Sequence, residues 1–480
     1  MINSSLLSSY SGYIDGRWTE ARSRLTMPVY NPATGDHLAD VPCMGEEETN
    51  AAVAAGVKAL RIESTVKERR QWLQSLASLI IQEGDALSEI ITLEQGKPLH
   101  ESRAEVEYAA AFFGHFAQHV ESFSPYSLPE RIQNCSWKVY HRPAGVVGLI
   151  TPWNFPLAMI AKKLSAAIAA GCSVVTKPAE ATPLSAIALW HLAERVGLPP
   201  GKLNLVVGNP AKIGRKLCEH PSVRVISFTG STETGKLLLQ QTAGYVKRLS
   251  LELGGNAPFI VFEDADLEIA VKELMRNKFR CAGQTCVCAN RVYVHEKVSR
   301  TFTEALAPRV ADLRVGNGMH DVDIGPLINR AAFDKVTRHV SDAMQKGAHR
   351  VVGDSPRRPS TDWGCYYPAT VLVGVTAQMR VFQEETFGPL IAMASFRSTE
   401  EVISLANDTP YGLAAYVITQ DEQKALRCAS ELGFGYVGLN TGVGPTPEAP
   451  FGGMKQSGFG REGGKEGLEE FCEKQTVVIA

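Results

Sequence analysis

The stretch Gly145-Val-Val-Gly-Leu-Ile-Thr-Pro-Trp-Asn-Phe-Pro156 decides the fold. Its first half, Gly145–Thr151, is a short apolar run that reads as a strand covered on both faces. A helix from about Leu157 to Ala170 follows. Ser173–Thr176 is then a second strand, with a helix near Pro183–Val196 behind it. Leu203–Val207 and Val223–Phe228 are further strands, with a short helix between them. Strands alternating with helices predict a parallel sheet with helices on both faces. Ligands on such sheets sit beyond the carboxyl ends of the strands.

Upstream, the first forty or so residues are turn-rich and strand-like, with a turn at Asn31-Pro-Ala-Thr-Gly35. Amphipathic helices are expected at about Glu46–Leu60, Val66–Gly84 and Pro98–Val120. The segment Glu121–Pro143 carries Pro125, Pro129 and Pro143 around the strand-like Cys135–His141 and reads as an excursion from the body. Downstream, the rhythm restarts after Leu253-Gly-Gly255 with strands near Pro258–Phe262, Arg291–His295 and Ala369–Val373 and a helix from about Leu267. The expectation is a second α/β lobe, with Gly254-Gly255 as a flexible joint. The strand-like Gln475–Ile479 needs a partner edge, which predicts oligomerisation.

Charge excludes some functions. Across 480 residues, 49 Lys+Arg stand against 51 Asp+Glu, and no long run of one sign occurs. That balance argues against a nucleic acid or an anionic membrane as partner. No apolar run approaches the ~18 residues of a membrane span, and the Ser-rich start from Met1 to Tyr13 lacks the features of a signal peptide. Ten scattered cysteines are too few for a disulfide scaffold and read as reduced thiols, so a cytoplasmic location is expected.

Two glycine motifs mislead. Gly458-Phe-Gly-Arg-Glu-Gly463 matches G-x-G-x-x-G, but the 17 residues after it are too few for a βαβ unit. Gly230-Ser-Thr-Glu-Thr-Gly-Lys236 nearly matches a phosphate-binding loop, yet Leu237 stands where a Mg²⁺-binding hydroxyl is required. What remains at Gly230-Ser231 is a helix N-terminus suited to a pyrophosphate without metal, or simply a capped helix.

The chemistry concentrates in Phe279-Arg-Cys-Ala-Gly-Gln-Thr-Cys286-Val-Cys288. The spacing is wrong for zinc, and no metal is expected. One thiol reads as a nucleophile on a Gly-Gln loop, with small buried side chains as the alternative. Glu252, inside the apolar Leu251-Glu-Leu-Gly-Gly255, is a candidate general base or a salt-bridged structural residue. Asn154, just after the first strand, can donate to a developing oxyanion or merely make a turn.

Taken together, PWNFP (152–156), KPAE (177–180), FTGSTETG (228–235), LELGGNAP (251–258), GQTC (283–286), EETFGP (384–389) and APFGG (449–453) closely resemble the NAD(P)-dependent aldehyde dehydrogenase superfamily. The resemblance runs from about Tyr13 to Val477. It implies two doubly wound parallel-sheet lobes plus a small β oligomerisation arm. Residues 1–122 with 144–254 would form the dinucleotide-binding domain and 255–446 the catalytic domain. Residues 123–143 and 447–480 would form the arm and C-terminal segment. Cys286 is then the nucleophile, Glu252 the base and Asn154 an oxyanion donor. Trp153, Asn154, Gly230, Ser231 and Leu253 would lie by the dinucleotide. Lys177 and Glu180 would contact the adenosine ribose, Pro178 and Ala179 would also lie by the dinucleotide, and Glu385 and Phe387 would position the nicotinamide half. Glu180 favours NAD over NADP, because a carboxylate repels a 2′-phosphate.

Within the superfamily, the Cys286 segment and Asn256–Leu267 look most like succinate-semialdehyde dehydrogenases. Arg280 matches the arginine that binds the substrate carboxylate there. The sequence departs from that pattern in three ways. Lys162 stands at a second arginine position, Cys281 replaces an asparagine, and Gly444-Pro-Thr-Pro447 replaces a serine-bearing loop, with Thr446 as a substitute hydroxyl. Other short semialdehydes or aliphatic aldehydes, a CoA-acylating relative and a catalytically retired protein of this fold are the alternatives. In the resembling animal enzymes a Cys-x-Cys pair forms a reversible disulfide, which would here join Cys286 and Cys288. A homodimer or homotetramer is expected.

Overall fold

In the computed structural model, which describes residue 4, residues 6–129 and residues 134–480, the run after Gly145 forms a strand, Val146–Ile150, buried at every position. Residues 130–133 of the expected arm lie outside the described residues, as do residues 1–3 and 5 of the Ser-rich start. Val146–Ile150 pairs in parallel with Ser173–Lys177 on one side and Val223–Thr229 on the other. Arg248–Glu252 and Leu203–Leu205 extend the same parallel set. Antiparallel strands close both ends: Gly12–Ile14 and Arg17–Thr19 at one edge, Gly458–Phe459 at the other. The result is an eight-stranded sheet. Gly458-Phe459, part of the misleading glycine motif, is therefore a sheet edge and not a turn over a phosphate.

Helices Ala158–Ala170 and Leu184–Val196 cover this sheet, and both end on a glycine in the left-handed conformation, Gly171 and Gly197. The upstream helices are Glu46–Ala59, Val66–Gln82 and Leu99–His119, with a further helix, Gly84–Gln95, between the last two. That helix buries Leu87, Ile90 and Ile91 at helical spacing. Gly84 thus opens a new helix where the pattern of the preceding one stops.

The chain leaves the first sheet at Glu252 and enters a second, seven-stranded sheet at Ala257–Val261. There Ala289–His295, Leu390–Phe396, Thr370–Val373, Ala414–Ile418 and Tyr436–Leu439 run parallel, and His349–Val352 alone is antiparallel. The joint between the sheets is not loose. A Cβ on Gly255 would lie 2.3 Å from the Cys286 carbonyl oxygen, and the Gly255 N–H bonds Glu385. Glycine is needed here for close approach rather than for freedom.

Cys472–Ile479 pairs antiparallel with Ser136–Pro143, which pairs with Tyr126–Leu128, forming a separate three-stranded sheet. Among the described residues no helix is long and apolar enough to cross a membrane.

Candidate active site

The parallel strands of the first sheet end on one rim, and that rim supplies most of the site. The loop bearing Trp153 and Asn154 leaves the end of Val146–Ile150. Gly230 and Ser231 follow Val223–Thr229, and Glu252 is the last residue of its strand. Cys286 arrives from the second lobe, on the turn between helix Leu267–Lys278 and strand Ala289–His295. That turn is tight. Cys281 and Ala282 both take positive φ, 53° and 55°, and the Gln284 amide braces it by donating to the Cys281 carbonyl and accepting from the Ile328 N–H.

Cys286, Glu252 and Asn154 line one cavity of about 630 Å³. Trp153, Gly230, Ser231, Leu253, Glu385 and Phe387 line it too, as do Arg280, Lys162 and Thr446. Lys177, Pro178, Ala179 and Glu180 are not on its wall. They continue the rim at the end of strand Ser173–Lys177, where buried Lys177 bonds half-exposed Glu180 at 2.9 Å. Cys288 is turned elsewhere: it is buried, and its thiol donates to the Lys278 carbonyl at 3.6 Å.

The electrostatics separate the three central groups. Burial pushes the half-buried Cys286 thiol up to about 12, with Lys162 pulling it down and Glu385 and Glu252 adding to the rise. Glu252 is 3% exposed, and neither carboxylate oxygen has a hydrogen-bond partner among the described residues. Its burial, reinforced by Glu462, raises it well above the usual carboxylate range, opposed by Lys162 and Lys163. A desolvated carboxyl without fixed partners is suited to taking a proton. Asn154 donates one amide N–H to the Gln284 carbonyl at 2.9 Å, which leaves a second N–H to give.

The cavity also fits a dinucleotide. Ser231, on the cavity wall, caps helix Thr232–Thr242, its Oγ accepting from the Thr234 N–H at 3.2 Å, so the positive end of that helix lies at the cavity. A Cβ on Gly230 would lie 2.3 Å from the Phe228 ring, so a side chain there would have to push that ring aside. Trp153 and Phe387 meet edge to face at 5.7 Å, with Phe387 held at φ 57°. Glu385, raised to about 7 by burial, accepts the Gly255 N–H at 3.0 Å.

Two features of the site escape a reading of the sequence. Glu462, within the misleading glycine motif, is buried against Lys162 at 3.0 Å and also bonds Lys163. Two adjacent lysines inside an otherwise apolar helix were the available signal, since buried cations need a counter-charge. The second is the buried pair Lys97–Glu105, packed beneath the Asn154 loop.

The model of the "Aldehyde dehydrogenase family" matches residues 18–477. The chain is 46% identical to the 3-sulfolactaldehyde dehydrogenase of Pseudomonas putida, over 98% of this chain and 97% of that one. It is also 46% identical to the NADP(+) succinate-semialdehyde dehydrogenase of Escherichia coli K12, over 100% and 99%. Among solved structures, an oxidoreductase from Marinobacter aquaeolei superimposes with a TM-score of 0.98 at 53% identity, covering all of both chains. With this match in sequence and fold, the chain belongs to the aldehyde dehydrogenase family, an NAD(P)-dependent group of oxidoreductases.

Proposed function

We propose that the protein oxidises a short aldehyde with an anionic tail, succinate semialdehyde foremost, to the corresponding acid. The observation that carries this reading is Arg280. Its guanidinium lies on the cavity wall over the Phe155 ring, 5.2 Å from the centroid, with no ion pair among the described residues. A free guanidinium fork suits a carboxylate, and equally a sulfonate. Lys162, one of two lysines on the wall with Lys335, already has Glu462 as its counter-charge.

Cys286 gives up its thiol proton to solvent and attacks the aldehyde carbon as the thiolate, and the second N–H of Asn154 with a backbone N–H holds the oxyanion that forms. NAD(P), when bound, supplies the hydride acceptor. Loss of hydride leaves the acyl group on Cys286 as a thioester. Glu252 then takes a proton from the water that attacks it, and the thiol leaves with the acid released. The buried, unpartnered Glu252 supports hydrolysis over transfer to CoA. The exposed Tyr126, Leu128, Val478 and Ile479 of the three-stranded sheet support an oligomer built on that arm.

NAD(P)H formation across succinate semialdehyde, 3-sulfolactaldehyde and neutral aldehydes, with wild type and Arg280→Ala compared, tests the assignment. The variant is expected to lose kcat/KM on the anionic substrates by roughly ten- to a hundredfold, the value of a charged hydrogen bond, and to keep its rate on neutral ones. Arg280→Ala acting on succinate semialdehyde as the wild type does overturns it.

A further inference from the structure

Beneath the Asn154 loop lies a corner of the chain, Gln95–Glu105, where helix Gly84–Gln95 ends and Leu99–His119 begins. Lys97 and Glu105 form an ion pair there at 2.6 Å, and neither side chain is exposed at all. Lys97 Nζ also donates to the Asn154 carbonyl at 2.7 Å and sits 3.6 Å above the centre of the Phe155 ring. Glu105 spends its other oxygen on the Leu157 and Ala158 N–H groups, at 3.0 and 3.1 Å. One buried pair thus grips the loop on both sides of Phe155.

The same corner reaches the turn that carries the nucleophile. Gln95 Nε2 donates to Cys281 Sγ at 3.2 Å, and Glu101 accepts the Cys281 N–H at 2.8 Å. The second lobe holds the corner in place. A Cβ on Gly325 would lie 2.2 Å from the Gly96 carbonyl and one on Gly318 would lie 2.4 Å from the Lys97 carbonyl, while Leu99 N–H donates to Gly318.

A buried ion pair is a poor way to gain stability, since apolar side chains of similar volume would serve as well or better. Its distinctive property is direction: each charge fixes hydrogen bonds at defined atoms. We propose that the Lys97–Glu105 pair is a positioning device that sets Asn154 for the oxyanion, acting only through that residue and touching no reacting atom. This rests on the reading of Asn154 as oxyanion donor given above.

A double-mutant cycle on the full enzyme tests it, with Lys97→Met, Asn154→Ala and the double variant. Asn154→Ala is expected to lower kcat by about 10²–10³-fold, the usual loss for one oxyanion donor. Lys97→Met is expected to lower kcat by about 10- to 100-fold through misplacement, with KM for the dinucleotide unchanged. In the Asn154→Ala background, Lys97→Met is expected to cost almost nothing more. If Lys97→Met fails to fold, Glu105→Gln replaces it. That variant keeps an acceptor for the Leu157 and Ala158 N–H groups while removing the charge that orients Lys97, and the same non-additivity is expected. Asn154→Ala at full rate overturns the oxyanion reading itself. A lossy Asn154→Ala beside Lys97→Met or Glu105→Gln with unchanged kcat overturns the positioning role alone, as do losses that multiply in the double variant.

Discussion

Lys162 Nζ stands 3.0 Å from Glu462 Oε2, both side chains buried, and the two charges act on Glu252 in opposite senses. Glu462 raises the Glu252 carboxyl and Lys162 lowers it. Lys162→Met leaves Glu462 with Lys163 alone and removes one of the cations that favour ionised Glu252. The acidic limb of the pH–rate profile, which reports ionisation of the base, is expected to move to higher pH. Breaking one arm of a buried pair also costs about 3–5 kcal/mol of stability. Steady-state rates across pH with denaturant unfolding check both, and a limb that stays in place separates Lys162 from Glu252.

Glu252 itself is built against stability. Burial and Glu462 raise its carboxyl in the folded chain, so the folded state holds this proton more tightly than the unfolded state does. The stability this provides is complete in acid, below the unfolded value, and is lost as pH climbs through the raised folded value. Glu252→Gln removes that loss. Its melting temperature is expected to match wild type in acid and exceed it in alkali. Hydrolysis of the acyl–Cys286 thioester is expected to slow by about 10²–10⁴-fold, so that mass spectrometry finds the acyl group on the protein. An alkaline melting temperature at or below wild type contradicts the buried, unpartnered carboxylate.

Glu180 bears on cofactor choice. Half-exposed at the sheet rim and tethered to Lys177, it offers a carboxylate to ribose hydroxyls and meets a 2′-phosphate with like charge. The wild type is expected to show higher kcat/KM with NAD than with NADP. In Glu180→Ala the ratio is expected to fall roughly ten- to a hundredfold, the value of a charge-assisted hydrogen bond. A wild type that prefers NADP contradicts this role.

What the sequence made legible follows from how locally each feature is encoded. Val146–Ile150 and Ser173–Lys177 are buried at every position, so their apolar runs announce a covered parallel sheet. Glu252 stands out because a carboxylate breaks an apolar strand, and Cys286 because its loop carries the Gly-Gln turn. Glu462 and the Lys97–Glu105 pair had no such local mark. Lys163 meets Glu462 across 299 positions and Lys97 meets Asn154 across 57, so only the folded chain reveals the partner. The rigidity at Gly255 escapes the sequence for a related reason: a glycine pair between two lobes resembles a hinge until the carbonyl crowding it is known.

That crowding gives a sharp test. A Cβ at position 255 would lie 2.3 Å from the Cys286 carbonyl oxygen, a contact with backbone that no side-chain rotation relieves. Gly255→Ala must therefore displace the Cys286 peptide or the Glu252-Leu253 strand end, the two groups that the proposed mechanism brings to the acyl carbon. A shift of about 1 Å at a reacting group costs roughly a hundredfold in rate. Gly255→Ala is expected to lose that much kcat on every aldehyde alike, because the defect lies at the chemistry and not at Arg280. Gly114 supplies the control: it lies within helix Leu99–His119, and a Cβ there meets nothing within 4 Å. Gly114→Ala is expected to keep wild-type kcat and to gain up to about 1 kcal/mol from helix propensity. Equal kcat in both alanine variants contradicts the fixed spacing between the Gly255 joint and Cys286.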